Sequence, residues 1–220
     1  MLMSWKAMDI HPPKNPIHSL KDFLRELITI IAGILIALSL DGLVAWREHR
    51  NLAREATANI VTEVRENQKE LSNELKDLAR MQQQSQVLVE MVHNLQSSRN
   101  MRRQEFQLIW SMAELHATSW DTAARTGALS YMPYAQVKSY TQVYDLQRSF
   151  TELQQRSLSS ALEVEGLTIL MGRDRKTISS VELADAERKI GIAVANIGAM
   201  QQIASALGAR YAELLKSGDE

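Results

Sequence analysis

The segment from Leu27 to Trp46, LITIIAGILIALSLDGLVAW, constrains this chain more than any other feature of its sequence. It is 20 residues long and carries one charged side chain, that of Asp41. At about 1.5 Å of rise per residue, a helix of this length matches the roughly 30 Å hydrocarbon core of a bilayer. Trp46 and Arg47 suit an interfacial aromatic ring followed by a cation that reaches the headgroups. The segment therefore predicts a retained, single-span membrane anchor.

Two other interpretations of this segment stay open. Its uncharged part, residues 27–40, has the length of the apolar region of a signal peptide. Against cleavage, a polar leader of 26 residues precedes the segment, and no A-x-A site follows it. A buried core helix is the second alternative, but residues 28–38 are apolar around most of the helix circumference.

Composition narrows the function classes. The chain has 220 residues, and about 175 of them follow the apolar segment, which is enough for a helical domain with its own core. Lys and Arg number 25 and Asp and Glu number 26, a balance that argues against a nucleic-acid partner. The chain has no cysteine, so disulfides and thiolate metal sites are excluded.

Proline placement predicts an all-α fold. The four prolines lie at positions 12, 13, 16 and 133, so residues 17–132 and 134–220 contain none. Long proline-free runs rich in Ala, Leu, Glu, Gln and Arg favour continuous helices. We expect a polar leader over residues 1–19, a transmembrane anchor helix over 20–49, and an extramembrane helical bundle over 50–220. The anchor helix should continue to about Leu95 as one long helix of an antiparallel bundle.

Beyond the apolar segment, this first helix carries a heptad pattern of apolar residues. Its members are Ile60, Val64, Leu71, Leu78, Met81, Leu88, Val92 and Leu95. Asn67, Glu74 and Ser85 interrupt the same stripe. A strict coiled coil would have fewer polar interruptions, so the pattern favours a bundle helix.

Three further helices are predicted. The first covers residues 104–119 and should bury Phe106, Ile109, Trp110, Met112 and Leu115. Gly127 is expected to end a short helix as its C-cap, and Pro133 to open the next helix, which covers 134–171. Its apolar stripe contains Leu146, Phe150, Leu153 and Val164. Ser179 and Glu182 form a capping box before the last helix, which covers 180–216.

The last helix carries small residues at heptad spacing. They are Ala184, Gly191, Gly198 and Ser205. Glycine disfavours a helix by about 1 kcal/mol relative to alanine, so its use twice on one face indicates close packing against the first helix or a second subunit. Within the apolar segment, Gly33 and Ala37 form a second small-x-x-x-small pair. Both faces predict a homo-oligomer.

Two blocks of the sequence resemble a widespread group of uncharacterised bacterial proteins with a single-span anchor. GILIALSLDGLVAWREHR at residues 33–50 is similar to the group's N-terminal G-[IV]-L-I-A-L anchor, which precedes a Trp and a charged helix. SWDTAARTGALSYMPYAQVKSYTQVY at residues 119–144 resembles its aromatic-x-x-(L/A)-x-x-(S/T)-G-x-L segment. The matching residues are Trp120, Gly127, Leu129 and Tyr144.

The two blocks cover about a fifth of the chain. Asp41 stands where an Asn-like residue is more usual in the group, and Ala123 fills the (L/A) position. The resemblance implies a membrane-anchored helical protein and no particular activity. A bacterial plasma membrane is the location that it implies. The basic residues on the two sides of the apolar segment are balanced, and retention of the short basic leader in the cytoplasm predicts a periplasmic C-terminal domain.

The sequence contains none of the motifs that specify a reaction or a cofactor. The five histidines lack the H-E-x-x-H spacing of a zinc site, no G-x-S-x-G elbow occurs, and no G-x-G-x-x-G loop occurs. We therefore expect no catalytic residue, no cofactor and no metal.

Two groups of residues are candidates for function. Asp41 is a carboxylate within the apolar segment, a placement that often marks function. It resembles the single carboxylate in the anchors of proton-driven stator subunits, but it lies near one end of the segment, which favours an interfacial or packing role. The second group is the aromatic block around Trp120 and Tyr144, which is either a packed corner or a recognition surface.

Two classes of function remain. The first is a non-enzymatic, membrane-tethered bundle that acts as scaffold, sensor or accessory subunit. Membrane lipid, further copies of the chain and another membrane protein are its expected partners. The second is a subunit of an ion- or proton-coupled membrane complex, with Asp41 in the coupling path.

Overall fold

The computed structural model of the chain describes residues 19–96, 110–171 and 173–218. Within these ranges it contains four α-helices, which are α1 (Leu20–Gln96), α2 (Thr118–Arg125), α3 (Tyr134–Met171) and α4 (Ser180–Gly218). Short 3₁₀ turns cover Ala128–Tyr131 and Arg175–Thr177, and none of the described ranges contains a strand. The predicted all-α fold is confirmed. The leader predicted over residues 1–19 lies outside the described residues, apart from Ser19.

The chain divides into two compact units, residues 1–51 and 52–220. In the first unit, the described residues from Leu20 onward are helical. The hydroxyls of Thr29 and Ser39 donate to the carbonyl oxygens of Arg25 and Leu35, at 2.9 and 2.6 Å. These polar side chains thus find acceptors within their own helix, as a helix in hydrocarbon requires.

In the second unit, α1, α3 and α4 meet along seams with a repeat of 3.5 residues, the spacing of left-handed helix packing. The α1 seam contains Ile60, Val64, Asn67, Leu71, Glu74, Leu78, Met81, Ser85, Leu88 and Val92. The α3 seam contains Tyr140, Val143, Gln147, Phe150, Gln154, Ser157, Ala161 and Val164. The α4 seam contains Leu183, Ala186, Ile190, Ala193, Ile197, Met200, Ala204, Leu207, Tyr211 and Leu214. The core is therefore a three-helix bundle whose α1 and α3 seams include polar residues.

The contacts between helices fix their directions. Asn67 of α1 is hydrogen-bonded to Gln147 of α3, and further along both helices Leu88 shares a core cluster with Val164. Helix α3 thus runs parallel to α1. Helix α4 returns after the turn at residues 173–179, and its Tyr211 donates to Gln147. The antiparallel member of the bundle is therefore α4.

Residues 110–117 are not helical, so the helix predicted over residues 104–119 is wrong for this stretch. Burial alternates along it, with Ala113 buried between Met112 and Glu114, which are exposed. Burial that alternates with a period of two residues is the pattern of an extended chain. Met112, which was predicted to be buried, is 41% exposed. Phe106 and Ile109 lie outside the described residues.

The predicted capping box at the start of α4 is confirmed. The Ser179 amide donates to Glu182 Oε2 at 2.8 Å, and the Glu182 amide donates to Ser179 Oγ at 3.2 Å. Arg173 Nη1 donates to the other carboxylate oxygen at 2.6 Å. The backbone N–H of Ser179, followed by Arg173, lowers the pKa of Glu182 to about 2. Charge-assisted bonds to the ionised form have this effect.

The small-residue face of α4 does not pack closely within the chain. Gly191 is exposed, and no atom lies within 4 Å of a Cβ built on Gly191 or Gly198. Contact of this face with α1 was one of the two predicted reasons for its glycines, and that reason is wrong. The α1-facing side of α4 is the apolar seam, one residue away from each glycine. The other predicted reason, contact with a second subunit, stays a prediction.

Candidate functional site: a polar clamp and an aromatic pair

Asn67 holds the extended segment against α1 through its whole side-chain amide. Its Oδ1 accepts from the His116 backbone N–H at 2.8 Å, and its Nδ2 donates to the His116 carbonyl at 2.7 Å. An extended chain without a neighbouring strand leaves such backbone groups unpaired, so a side-chain amide replaces the strand. Asn67 is 1% exposed, which makes these bonds costly to lose.

Helices α3 and α4 complete this arrangement. Gln147 Nε2 donates to the same His116 carbonyl at 2.9 Å, and Gln147 Oε1 accepts from Asn67 Nδ2 at 3.2 Å and from the Tyr211 hydroxyl at 2.6 Å. Every polar side-chain atom of Asn67, Gln147 and Tyr211 therefore has a partner. We call these three residues the Asn67 layer, since they occupy one level of the three seams.

Glu63 lies one turn earlier on α1 and joins the start of α2 to α3. Its Oε2 accepts from the Ser119 backbone N–H at 2.8 Å, and its Oε1 accepts from the Tyr144 hydroxyl at 2.7 Å. The first bond brings a carboxylate to the N-terminus of α2, where its charge is favourable. Glu63 is 6% exposed, and both of its oxygens are used. We call Glu63, Tyr144 and the Asn67 layer together the polar clamp.

The aromatic block predicted around Trp120 forms beside Glu63. The rings of Trp120 and Tyr144 stack with centroids 5.3 Å apart and planes 13° apart. Tyr140 meets Trp120 edge to face at 6.4 Å. The prediction that Trp120 and Tyr144 pack on each other is confirmed. Gly127 has a left-handed φ of 76° just after α2 ends, as expected of a C-cap residue, and Leu129 packs partly buried against the core.

Burial dominates the acid–base chemistry of the clamp. It raises the pKa of the Tyr144 hydroxyl far above the usual value of tyrosine, and the bond to the Glu63 carboxylate raises it further. Burial also raises the pKa of Tyr211. Both hydroxyls are therefore neutral hydrogen-bond donors at any physiological pH, which suits a structural role better than proton transfer.

Two shallow cavities adjoin the clamp. One, of about 300 Å³, is lined by Glu63, Glu66, His116 and neighbouring polar residues. The other, of about 250 Å³, lies between α1 and α2. Asn59, Thr118 and Ser119 line both. Volumes of this size are small for an enclosed ligand site, so the cavities fit contacts with a partner's side chain better than a cofactor.

A second polar level lies one heptad along the bundle and differs from the first. Seven residues further along α1 and α3, and seven earlier on α4, the seams hold Glu74, Gln154 and Ala204, which we call the Glu74 layer. Ser111 Oγ donates to Glu74 Oε2 at 3.0 Å. Among the described residues, Glu74 Oε1 and both polar atoms of Gln154 have no hydrogen-bond partner, although Gln154 is fully buried. The next α3 seam residue, Ser157, also has an unpaired hydroxyl.

The candidates of the first unit lie on exposed helix surface. Asp41, Gly33 and Ala37 are all exposed, and nothing approaches within 4 Å of a Cβ built on Gly33. The structure thus offers no neighbour for the predicted small-residue face in this segment. In the described part of the chain, no group of three or more His, Asp or Glu side chains is placed to hold a metal ion.

Sequence reasoning missed three members of the clamp: Glu63, Gln147 and Tyr211. Asn67 was noticed only as an interruption of the α1 stripe. A polar residue at a seam position is the one available signal, and Asn67 and Gln147 both carry it. Glu63 gives none, because it flanks the seam and looks like a solvated charge in the sequence.

Comparison with known protein families, curated proteins and solved structures finds no match to this chain. The resemblance to the anchored bacterial group therefore stays a prediction carried by its two blocks of sequence.

Proposed function

We propose that this protein is a single-span, membrane-anchored helical bundle that acts without catalysis, as a scaffold, sensor or accessory subunit, through contacts with other proteins. The observation that carries the proposal is the exposure of the large hydrophobic side chains in its apolar segment. Between Leu27 and Val44, the large hydrophobic side chains of α1 are 39–64% exposed. An exposed apolar surface of this size needs lipid or another protein against it. The length of the segment matches the thickness of a bilayer's hydrocarbon core.

Burial separates this segment from the other long apolar helix. By length and composition, α1 and α4 are the two helices of the described chain that could cross a membrane. None of the most apolar stretch of α1 is buried, whereas a third of that of α4 is. Because α4 also supplies one of the three seams, it is better explained as a core helix.

The flanks of the segment support the anchor. Arg25 precedes it, and Arg47 and Arg50 follow it. The Arg50 guanidinium lies 5.3 Å from the centre of the Trp46 ring, a cation–π contact of the kind found at an interface. The basic residues on the two sides are balanced, so orientation rests on the short basic leader remaining in the cytoplasm. This places residues 50–220 in the periplasm of a bacterium.

The chemistry of the clamp supports a non-catalytic role. Its carboxylate, amides and hydroxyls are hydrogen-bonded to each other and to the backbone of residues 116 and 119. No general base or nucleophile is left free in it to act on a substrate. The two shallow cavities near the clamp are better suited to binding a partner's side chains.

Asp41 favours the alternative, a subunit of an ion- or proton-coupled complex. It lies 14 residues after Leu27, or about 21 Å along a helix axis. That position lies in the C-terminal half of the span, about 7.5 Å before Trp46. In this alternative, its exposed carboxylate faces a second membrane protein rather than lipid.

The anchor is tested by replacing Ile34 and Leu35 together with lysine and extracting membranes at alkaline pH. Each lysine at the centre of a span disfavours insertion by about 2.5–3.5 kcal/mol, so the variant should leave the membrane fraction. The matched control replaces Val87 and Val89, exposed valines of the same helix, and should remain membrane-bound. If the Ile34/Leu35 variant also remains, the anchor assignment is wrong.

Orientation and partners are tested on the same protein. Alkaline phosphatase fused after Glu220 should be active, while a fluorescent reporter that matures only in the cytoplasm should be dark. Cross-linking in intact cells followed by mass spectrometry then identifies partners. A non-catalytic role predicts that partner capture persists in an Asp41→Asn variant, whereas its loss there would favour the coupled complex.

A further inference from the structure

Glu74 is a buried carboxyl group without the partners that a buried charge requires. It is 3% exposed. Its Oε2 accepts one bond, from the neutral Ser111 hydroxyl, and its Oε1 has no partner among the described residues. A buried carboxylate needs a cation or several donors, because burial removes the water that would solvate its charge.

Within residues 19–96, 110–171 and 173–218, none of the elements packed around Glu74 supplies it with a cation. On α4, no charged residue occurs between Lys189 and Arg210, a stretch that includes Ala204 of the same layer. On α3, the layer is formed by the neutral Gln154, and the nearest charges in sequence, Glu152 and Arg156, are exposed.

Among the remaining neighbours, Ser111 favours a negative charge on Glu74, whereas two carboxylates disfavour it. In the extended segment, the contact is Ser111, and the nearest ionisable residue in sequence, Glu114, is exposed. On α1 itself, Glu70 and Asp77 both act on Glu74 as like charges. Asp77 forms an ion pair with Arg80, and the other cations of this part of α1, Lys69 and Lys76, are exposed.

We propose that Glu74 is a proton-binding site, at which the folded bundle takes up a proton from solvent and holds a neutral carboxylic acid. A neutral carboxyl group tolerates this apolar seam far better than a carboxylate, and it keeps its bond to Ser111. The direction of the pKa shift agrees: burial raises the pKa of Glu74 by more than the Ser111 hydrogen bond lowers it, and the like charges of Asp77 and Glu70 add smaller increases. This inference goes beyond the proposed function and does not rest on membrane anchoring.

The consequence is a bundle that responds to pH. A carboxyl group whose pKa is higher in the folded state than in the unfolded chain adds stability that is fully present below the unfolded pKa. That contribution is lost as pH rises through the folded pKa. Acidification should therefore stabilise the bundle through the Glu74 layer, and alkaline conditions should destabilise it.

Infrared spectroscopy of the full chain in detergent micelles tests the proposal directly. The carbonyl stretch of a protonated carboxyl group is titrated against pH in the parent, in Glu74→Gln and in the control Glu66→Gln, an exposed glutamate of the same helix. The parent and the control should show a protonated carboxyl that persists above the normal titration range of glutamate, and Glu74→Gln should lack it. Absence of this signal from the parent overturns the proposal.

Unfolding experiments give a second readout. Melting temperatures of the parent and of Glu74→Gln are compared at a mildly acidic and a mildly alkaline pH. The parent should lose more stability between the two values than the variant, and the variant should exceed the parent most at the higher pH. Equal pH dependence of the two proteins would overturn the proposal. Should Glu74→Gln fail to fold, Glu74→Met provides a second neutral side chain of similar length, and the infrared result on the parent stands alone.

Discussion

The Asn67 layer and the Glu74 layer lie one heptad apart in the same bundle, and they treat their polar residues in opposite ways. In the Asn67 layer, every polar side-chain atom has a partner, and both backbone groups of His116 are bonded to the layer. In the Glu74 layer, Gln154 is buried with neither of its polar atoms bonded in the described structure. The difference teaches that a polar residue at a seam is stabilising only where another element brings a matching group to it.

The extended segment creates this difference. The backbone of residue 116 in this segment and of residue 119 at the start of α2 presents an acceptor and two donors to Asn67 and Glu63. At residue 111, by contrast, the segment contributes a single hydroxyl to Glu74. Tyr211 of α4 then completes the Asn67 layer, where the Glu74 layer has Ala204. One layer therefore fixes the bundle register, and the other leaves unsatisfied groups in the core.

The largest effect is expected from Trp120→Ala, which removes the ring that covers the clamp. Truncating a buried Trp costs about 3–5 kcal/mol, and partial exposure of Trp120 places the loss near the lower end. A domain of this size changes its melting temperature by about 2–4 °C per kcal/mol, so the shift is easily measured by circular dichroism. Tyr134→Ala is the control, because Tyr134 is 84% exposed. Near-parental stability of Trp120→Ala with loss of partner binding would make the aromatic pair a recognition surface instead.

A smaller effect is expected from Tyr144→Phe, which keeps the stacked ring and removes only the hydroxyl. Glu63 Oε1 then loses its donor, and an unpaired buried acceptor costs about 1–3 kcal/mol. Urea unfolding measures the loss. Tyr134→Phe, at a tyrosine that is 84% exposed, should leave the free energy of unfolding unchanged. A Tyr144→Phe protein as stable as the parent would mean that the Glu63 bond is not part of the clamp.

The smallest effect on the bundle is expected from the open face of α4. Gly191→Ala and Gly198→Ala should each stabilise the helix by up to about 1 kcal/mol, because no neighbour obstructs the added methyl group. Replacing both glycines by leucine should leave the melting of the monomer near that of the parent but dissociate a homo-oligomer, as judged by light scattering in detergent. If the leucine variant associates like the parent, the small-residue face is not a subunit interface.

The sequence predicts the helices well where their signals are local. The start of α3 follows from Pro133, and the start of α4 follows from the Ser179–Glu182 capping box. The extended path of residues 110–117 could not be predicted, because the backbone of His116 bonds to the distant side chains of Asn67 and Gln147. The same reason hides the clamp, whose partners lie 31 to 81 residues apart along the chain.

The stacking of Trp120 on Tyr144 was predictable because aromatic residues are scarce in this chain and concentrate in one block. The accessibility of the α4 glycines was not predictable. Heptad spacing shows that Gly191 and Gly198 share a face, but it does not show whether that face looks toward α1 or toward solvent.

The central claim, that one polar layer stabilises the bundle and the next does not, is tested most directly by comparing the free energies of unfolding of Asn67→Leu and Gln154→Leu. Both changes replace a buried amide at a seam by leucine. Asn67→Leu leaves the backbone N–H of His116 without an acceptor, while the His116 carbonyl keeps its bond from Gln147. The substitution should destabilise the bundle by about 1–3 kcal/mol, the cost of one unpaired buried group. Gln154→Leu removes two unbonded polar atoms and should be neutral or stabilising. Equal destabilisation by the two substitutions would contradict the account.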